Sequence, residues 1–366
     1  MENMVISNSI WRGRRVMLTG HTGFKGGWLA LWLHRLGANV TGLSLPPLLP
    51  GMYDAANIAR ITDGHFVDIR DAHAVSQIVS TVQPEIIFHL AAQPLVRRSY
   101  LDPLETYSTN VMGTANLLEA VRIKSPNTRA IVVVTTDKCY ENREWVWGYR
   151  ETDSLGGHDP YSSSKAGTEL VAHSYAKSFF NTAAMPALAT ARAGNVIGGG
   201  DFAADRLLPD LLRACEKEQN LFVRYPNAIR PWQHVLEPLA GYVRLAERLY
   251  DTGKQYSGAW NFGPTEASLK PVSWVATHFI DKWGSKIKWD NSDLEQLHEA
   301  GILKLDCSKA AHLLDWRSNM ELEQAIELVV DWHKAKIAGR EMHDFSNAQI
   351  AAYIEFCSKL KEDLHE

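Results

Sequence analysis

Residues 15–27 read RVMLTGHTGFKGG, and this stretch decides the fold. Its first five residues have the composition of a buried strand, and the apolar stretch WLALWLHRL after the glycines has the periodicity of a helix. Glycines between a strand and a helix let the backbone approach a pyrophosphate, and the helix offers free N–H groups and its positive dipole end to that anion. The stretch therefore predicts a dinucleotide site. The expected cofactor residues in the turn are Gly20, Thr22, Gly23, Phe24, Lys25 and Gly26.

Short apolar runs alternate with amphipathic stretches of helix length through the first half of the chain. This alternation is typical of βαβ units, whose right-handed crossovers place helices on both faces of a parallel sheet. We predict strands at 15–19, 39–43, 65–67, 86–90, 131–135 and 187–191. We predict helices at 26–36, 72–82, 103–124 and 161–180.

The predicted fold class is α/β, a Rossmann-like doubly wound parallel sheet with a smaller C-terminal α+β substrate domain. The alternation weakens after Arg192, where the glycine cluster GNVIGGGD begins, and a helix near 237–250 could return the chain to the main sheet. We therefore predict a dinucleotide-binding domain of residues 1–191 plus about 231–261. The substrate domain would comprise residues 192–230 plus about 262–366.

Composition excludes several classes of function. A net charge of -4 and a pI near 6.4 leave no basic surface of the kind that binds nucleic acid or an anionic membrane. The four cysteines are far apart and lack the spacing of zinc ligands or of a disulfide framework, so no metal is expected. The N-terminal residues do not form a signal peptide, and no apolar run is long enough to span a bilayer. We expect a cytoplasmic protein.

The residues near the expected adenosine site favour NAD over NADP. An acid about 20 residues beyond the glycines would bind the ribose, but the second strand ends in Leu43-Ser44-Leu45-Pro46. No arginine lies there to take a 2′-phosphate either. Asp68, after the third strand, is placed to accept from the adenine amine, whereas Asp71 is placed to cap the next helix. Lys25 could reach the phosphates or lie in solvent.

A second motif, DPYSSSK at 159–165, opens a predicted helix. Tyr161 and Lys165 are four residues apart and so share one face of that helix. A lysine ammonium beside a phenol lowers the pKa of the phenol, and the phenolate can then take a proton from a substrate hydroxyl. Together with the glycine turn, this pair predicts hydride transfer from a secondary alcohol.

The segments GHTGFKG, HLAAQ, TNVMGT, TTDK and YSSSK, in this order, resemble the extended short-chain dehydrogenase/reductase family over about residues 14–330. Within that family the chain is most similar to the nucleotide-sugar 4,6-dehydratases. The stretches LAAQPLVRRSY, TTDKCYEN, ARAGNVIGGGD and RPWQHVLEPL resemble those members that act on CDP-glucose. The resemblance implies an NAD-dependent lyase that acts on a nucleotide sugar in deoxysugar biosynthesis of the O-antigen type.

The resemblance also implies roles for the residues after the fifth strand. Tyr161 would take the proton of the 4-hydroxyl while NAD accepts the hydride from C4, with Thr136 orienting the same oxygen. Asp137 would then assist loss of the 6-hydroxyl as water, after a base removes the C5 proton. NADH would return the hydride to C6. The alternative for Asp137 and Lys138 is a surface ion pair that follows the strand.

Lys138 departs from the wider dehydratase pattern, in which a glutamate at this position is the C5 base. An amine is a poor base at neutral pH unless burial or nearby cations, such as Lys165, lower its pKa. Lys138 is therefore either the base or a cation that stabilises the enolate while another group moves the proton.

The resemblance places further residues around the two ligands. A nucleoside diphosphate carries two negative charges, and arginines bind such groups well. Arg230 resembles the arginine that binds the diphosphate, although an arginine before Pro-Trp could instead pack on an aromatic ring. The expected substrate residues are Gln93, Arg97, Asn195, Arg206 and Arg230. The remaining expected cofactor residues are Asp68, Ile69, Leu90, Ala91, Ala92, Thr135, Tyr161 and Lys165. We interpret His89 as a core histidine and Asn110 as a supporting residue.

Helices 103–124 and 161–180 carry more apolar surface than one sheet face requires, and in the family such helices pair across a twofold axis. We therefore expect a homodimer through a four-helix bundle, with a tetramer as the alternative. Other functions stay open at this point: a 4-epimerase, a dehydratase for GDP-mannose or for UDP- or dTDP-glucose, or a dinucleotide-sensing protein without turnover. Asp137 disfavours the epimerase. The combination of Thr136, Tyr161 and Lys165 disfavours the sensor.

Overall fold

The protein is described by a computed structural model that covers residues 8–291 and 301–363. The outer limits of the two predicted domains, at residues 1 and 366, lie outside the described residues. The strands are β1 (Arg15–Thr19), β2 (Asn39–Ser44), β3 (Asp63–Phe66), β4 (Ile86–His89), β5 (Ala130–Val134), β6 (Ala187–Ala193), β7 (Asn195–Ile197), β8 (Leu221–Val223), β9 (Ile229–His234), β10 (Gly258–Phe262), β11 (Leu269–Pro271) and β12 (Trp289–Asn291).

The α-helices lie between and beyond these strands. They are α1 (Asn8–Trp11), α2 (Phe24–Arg35), α3 (Met52–Ala55), α4 (Ala72–Val82), α5 (Val96–Leu101), α6 (Pro103–Tyr107), α7 (Gly113–Lys124), α8 (Pro160–Ser178), α9 (Leu207–Glu216), α10 (Leu236–Asp251), α11 (Val272–Trp283), α12 (Ser308–Leu313), α13 (Leu322–Ile337) and α14 (Met342–Asp363).

Seven parallel strands form the central sheet, in the order β10-β6-β5-β4-β1-β2-β3. The strand order reverses between β1 and β4, because β2 and β3 extend the sheet in one direction while β5 and β6 extend it in the other. In doubly wound sheets the ligand binds in the crevice at the carboxyl ends of the strands beside such a reversal. The predicted α/β fold class is confirmed, and the crevice lies directly above the glycine turn.

The two faces of the sheet are covered by different helices. Successive residues of β5 alternate between two cores: Ala130 and Val132 pack with α2 and α10, whereas Ile131 and Val133 pack with α4 and α7. Because β5 is apolar at every position, both of its faces are buried, as expected for a parallel strand between helices.

Two helices that flank the sheet, α4 and α8, begin at side-chain caps. Asp71 accepts from the backbone N–H of Ala74 at 3.0 Å, which confirms its predicted role as the cap of α4. Asp159 accepts from Ser162 N at 3.0 Å, and Pro160 follows it as the first residue of α8. An aspartate cap followed by proline fixes where a helix starts, because the proline ring presets φ and needs no N–H partner.

The segment predicted as one helix over 103–124 is helical between these bounds, but it is not α-helical throughout. A π-helical turn at Ser108–Met112 separates α6 from α7. Within it the Asn110 carbonyl accepts from the hydroxyls of Thr114, at 2.7 Å, and Thr168, at 2.9 Å. These two hydroxyls occupy a carbonyl that a regular helix would pair with a backbone N–H, which is a recognised cause of local distortion.

A second lobe covers the carboxyl side of the sheet. It contains a three-stranded sheet in the order β11-β9-β7 and a parallel pair of β12 with β8. The chain returns to the main sheet at β10, which pairs with β6. The division into two domains stays a prediction. None of the helices within the described ranges combines the length and the apolar character needed to cross a bilayer.

Candidate active site

The glycine turn packs too tightly to tolerate side chains. Gly20 has a φ of +78°, and a Cβ there would lie 2.9 Å from the Ala91 nitrogen. A Cβ on Gly26 would lie 2.0 Å from the Gly20 carbonyl oxygen. Gly23 is the N-cap of α2. Because glycine has no side chain, no capping side chain occupies the first N–H groups of this helix. These features fit the pyrophosphate of NAD, because the backbone can approach an anion closely and its donors point towards it.

The residues predicted for the adenosine end surround the same turn. Thr22 Oγ1 lies 2.9 Å from Ser44 Oγ and donates to the Leu45 carbonyl at 3.0 Å. Asp68 binds the Arg70 guanidinium at 2.6 Å, and this bond holds the pKa of the carboxyl below its usual value. Ile69 is buried against α7. Their contacts with adenosine stay predictions.

The strand end beside the turn is held by His89. Its ring nitrogens lie 2.7 Å from Thr19 Oγ1 and 3.0 Å from Thr114 Oγ1. Burial lowers the pKa of His89 to about 3, so the ring is neutral and its interpretation as a core histidine is confirmed. Thr19 Oγ1 also accepts from the backbone of Leu90 and Ala91, which orders the loop through Ala92.

The segment after β5 presents the proposed catalytic groups. Asp137 is fully buried in a single 3₁₀ turn, and its Oδ1 accepts from Thr136 Oγ1 at 3.0 Å. Lys138 Nζ lies 3.6 Å from the same oxygen and 3.4 Å from Asn195 Oδ1. Asp137 Oδ2 is buried without a hydrogen-bond partner among the described residues. A simple surface ion pair is therefore wrong for Asp137, and an unsatisfied buried oxygen needs a functional explanation.

Tyr161 and Lys165 face the same region from α8. Both side chains are nearly buried, at 9% and 6% exposure. Burial raises the pKa of Tyr161 to about 12, although the neighbouring Thr136 hydroxyl and the Arg206 charge lower it in part. Lys165 instead donates to the Val134 carbonyl at 3.2 Å. Burial dominates the pKa of this phenol, and the charge of Arg206 partly offsets it. That Lys165 also lowers the pKa of the phenol stays a prediction.

Lys25 lies among the catalytic groups rather than in solvent. Its side chain is half-buried, and Nζ lies 5.8 Å from the centre of the Tyr242 ring. Burial, followed by the charges of Arg206 and Lys165, lowers the pKa of Lys25 to about 7. The solvated alternative is wrong, whereas a contact with the cofactor phosphates stays a prediction.

The structure brings two of the predicted substrate residues to the catalytic segment. Asn195 contacts Lys138 as described above, because β7 runs beside β9 at the mouth of the crevice. Arg206, at the start of α9, pairs with Asp201 at 2.9 Å and acts electrostatically on Tyr161.

The other three predicted substrate residues have protein partners of their own. The buried Gln93 amide bonds to Leu95 and Thr106. Arg97 pairs with Asp205 at 2.9 Å on the surface. Arg230 is buried and donates to main-chain oxygens, including that of Ile229 at 3.2 Å. Their contacts with a substrate stay predictions.

Asn110 supports the crevice from below. Its Oδ1 accepts from Gln93 N at 2.8 Å, and its Nδ2 donates to Gln93 O at 3.1 Å and to Ser164 Oγ at 2.8 Å. It thereby joins the loop after β4 to α8. This geometry confirms the supporting role predicted for Asn110.

Sequence reasoning missed two buried groups beside this site. Glu169 and Arg192 form an ion pair at 2.8 Å, and the spacing of Glu169 four residues after Lys165 was the available signal. Tyr242 of α10 is fully buried, and its hydroxyl has no partner among the described residues. An aromatic residue in an amphipathic helix gives no signal in sequence that its hydroxyl is unpaired. Within 8–291 and 301–363, no group of three His, Cys, Asp or Glu side chains is arranged to hold a metal ion.

The sequence of the chain was compared with protein families and with curated relatives. A family profile described as GDP-mannose 4,6 dehydratase matches residues 17–329. The chain belongs to this family. CDP-glucose 4,6-dehydratase of Salmonella typhimurium is 48% identical to it over 355 residues, which cover 96% of this chain and 99% of that protein. The family relationship confirms the resemblance to the nucleotide-sugar dehydratases of the extended short-chain dehydrogenase/reductase family.

Solved structures share the fold. UDP-glucose 4-epimerase of Thermotoga maritima, with UDP-glucose, superposes with a TM-score of 0.76 at 21% identity, covering 88% of this chain and 99% of that one. UDP-glucose 4-epimerase of Thermus thermophilus, in complex with NAD, gives a TM-score of 0.74 at 23% identity, covering 87% and 98% of the two chains. At these identities the likeness establishes the fold of the family and nothing finer.

Proposed function

We propose that this member of the family is an NAD-dependent hydro-lyase that converts CDP-glucose to CDP-4-keto-6-deoxyglucose and water. The observation that carries the proposal is the buried Asp137, which lies beside Thr136 and Lys138 with one oxygen unpartnered. An enzyme that only epimerises at C4 has no need of an acid at this position. The relative from Salmonella supports the cytidine nucleotide, because its similarity extends over 96% of this chain.

Tyr161 is the base for the 4-hydroxyl in this proposal. A pKa of about 12 means that the free phenol keeps its proton at neutral pH, so positive charge must favour its loss. The described cation that acts on the phenol is Arg206. Thr136 bonds to the phenol and so aligns it. When bound, NAD supplies the oxidant for C4 and the reductant for C6.

Asp137 is the acid that assists departure of the 6-hydroxyl. Thr136 Oγ1 holds one carboxyl oxygen at 3.0 Å and leaves the other oxygen, Oδ2, for the substrate. A positioned acid of this kind typically contributes about 10²–10⁴-fold to a rate. Complete burial excludes bulk water from competing for that oxygen.

Lys138 is placed to act at C5. Its amine lies between Asp137 Oδ1 and Asn195 Oδ1, with 31% of the side chain exposed. Both partners are hydrogen-bond acceptors, which suits a donor that stabilises the enolate electrostatically. Exchange of the C5 hydrogen with solvent distinguishes this role from that of the C5 base. If Lys138→Ala keeps full C5 exchange, Lys138 is not the base.

The proposed function is tested with the purified protein, NAD and a panel of glucose nucleotides. We expect CDP-glucose to give a 4-keto-6-deoxy product, read by its absorbance in alkali, and deuterium at C4 to reappear on the new methyl group. Conversion of UDP-, dTDP- or GDP-sugars in preference would overturn the cytidine assignment. An epimer as the only product, or deuterium lost to solvent, would reject dehydration.

We also propose that two copies pair through α6, α7 and α8. Support comes from large apolar side chains on these helices or directly beside them, in the π turn and after α8, that are exposed in the single chain. They are Leu104 at 80%, Met112 at 55%, Leu170 at 61% and Phe179 at 44%. A dimer would cover such a surface. The mass from light scattering should correspond to two chains and fall to one in a Leu104→Glu, Leu170→Glu variant. The cytoplasmic location and the O-antigen role stay predictions.

A further inference from the structure

A second buried carboxylate lies one helical turn beyond Lys165. Glu169 has a side chain only 4% exposed, and it accepts four hydrogen bonds. The donors are Thr135 Oγ1 at 2.5 Å, Thr190 Oγ1 at 2.7 Å, Arg192 Nε at 3.0 Å and Arg192 Nη2 at 2.8 Å. These four donors pair the carboxylate and fix it in one orientation.

Arg192 extends this network to the far side of the catalytic segment, residues 136–139. Its Nη1 donates to Tyr140 Oη at 2.7 Å, and Tyr140 donates to Asn261 Oδ1 at 2.8 Å. Thr135 comes immediately before the catalytic segment and Tyr140 immediately after it. One ion pair thus fixes both ends of the segment that carries Thr136, Asp137 and Lys138.

The same carboxylate acts on the charge of Lys165. Burial lowers the pKa of Lys165 to about 8, and Glu169, followed by Cys139, opposes this effect. Lys165 also lies near other titratable groups. Tyr161 is on the same helix, and the charge of Lys165 acts on His89 of β4 and on Lys25 of α2. Among these neighbours, Glu169 raises the pKa of Lys165 most and so opposes the effect of burial.

We propose that Glu169, paired with Arg192, is a positioning residue of this active site: the pair holds both ends of the catalytic segment and keeps a carboxylate one helical turn from Lys165. The inference rests on the proposed function. It assigns to this buried pair a role that packing alone does not require, because apolar residues of similar volume often replace a buried ion pair without loss of stability.

The first experiment measures the titration of Lys165 directly. Acetic anhydride labels the neutral amine, and mass spectrometry of the peptide with Lys165 gives the labelled fraction at each pH, without cofactor or substrate. In the wild-type protein the midpoint should lie near pH 8. In Glu169→Gln it should fall by about one pH unit or more, because an adjacent opposite charge is worth about one to three units. Equal midpoints in the two proteins would overturn the proposal.

The matched control is Glu237→Gln. Glu237 is also a buried glutamate, but it accepts from the backbone of Asn319 and Met320 and has no bond to the network. Its substitution should leave the Lys165 midpoint unchanged. A midpoint that falls equally in both variants would mean that the shift is a general consequence of altered burial, which also overturns the proposal.

Activity provides the second readout. In Glu169→Gln the alkaline limb of the kcat profile should move to lower pH by the same amount, so that kcat falls about tenfold on that limb while KM stays within about twofold. Glu169→Asp should restore the limb, because it keeps the charge. If Glu169→Gln changes the thermal stability but leaves the alkaline limb of the kcat profile in place, the pair has only a structural role. If the wild-type protein dehydrates no nucleotide sugar, the proposed function fails, while the labelling result still stands by itself.

Discussion

Two arginine–carboxylate pairs flank the crevice in opposite environments. The Arg192–Glu169 pair is 3% and 4% exposed, whereas the Arg97–Asp205 pair is 50% and 44% exposed, yet both measure under 3 Å. Distance alone therefore does not indicate what an ion pair does. A buried pair cannot lose one member without leaving an unpaired charge, whereas an exposed pair contributes about 0–1 kcal/mol and can exchange its partner for a ligand.

The difference separates the crevice into a fixed wall and an adaptable rim. The wall is formed by β5, α8 and β6, where each ionised group has buried partners. The rim carries Arg97, a predicted substrate residue, which pairs with the exposed Asp205. A substrate group could take over Arg97 at small cost, because Asp205 is 44% exposed and would return to water.

The largest effect is expected inside the wall, at the catalytic phenol. Tyr161→Phe removes the proton acceptor for the 4-hydroxyl and should lower kcat by about 10²–10⁴-fold or more. Binding of NAD, measured by fluorescence titration, should change little because the glycine turn is untouched. Near-normal turnover by a folded Tyr161→Phe protein would contradict its role.

Asp137→Asn separates the role of Asp137 as the acid in the elimination step from the oxidation step at C4. The amide keeps the shape of the carboxyl but cannot donate a carboxylic proton, so elimination should fall by about 10²-fold or more. Exchange of the C5 hydrogen with deuterated solvent, followed by NMR, should continue. Loss of exchange together with elimination would place Asp137 earlier in the reaction than proposed.

Removing one member of the buried pair should cost the most stability. Arg192→Met leaves the Glu169 carboxylate buried and unpaired, and we expect a loss of about 3–5 kcal/mol in the free energy of unfolding by urea. Arg97→Met on the rim is the control and should change stability by about 0.5 kcal/mol or less. Equal losses in both variants would remove the distinction between wall and rim.

The pH dependence of stability tests the burial of Lys165. Its folded pKa of about 8 is below the ordinary value of 10.5, so the unfolded chain binds more protons between these two values. This group therefore makes the protein more stable as pH rises from about 8 to 10.5, and it costs stability below about pH 8. Lys165→Met should flatten that rise in urea midpoints. An unchanged slope would mean that Lys165 titrates as an exposed amine.

The smallest effect is expected at Tyr242. Its buried hydroxyl has no described partner, and an unsatisfied polar group costs about 1–3 kcal/mol. Tyr242→Phe should therefore raise the thermal midpoint slightly. A lower midpoint would show that the hydroxyl is satisfied in solution, and that it belongs to the fixed wall.

Much of the site was predictable because its motifs are local. The strand at 15–19 and the helix at 72–82 were placed at the bounds that the structure has, since hydrophobic period and an aspartate cap determine them. The helix predicted over 103–124 has the predicted bounds but contains a π turn that the sequence pattern does not indicate, because this turn depends on Thr168, a residue of another helix. No local pattern carries that information.

The sequence by itself determined the alternation of strands and helices, the dinucleotide turn and the candidates Thr136, Asp137, Tyr161 and Lys165, because each belongs to a local pattern or motif. Only the tertiary structure decided how these groups are charged. It raised the pKa of Tyr161 through burial, placed Lys25 among the catalytic cations and joined Glu169 to Arg192 across two elements. Desolvation and Coulomb energies depend on neighbours distant in sequence, and these neighbours exist only after the chain has folded.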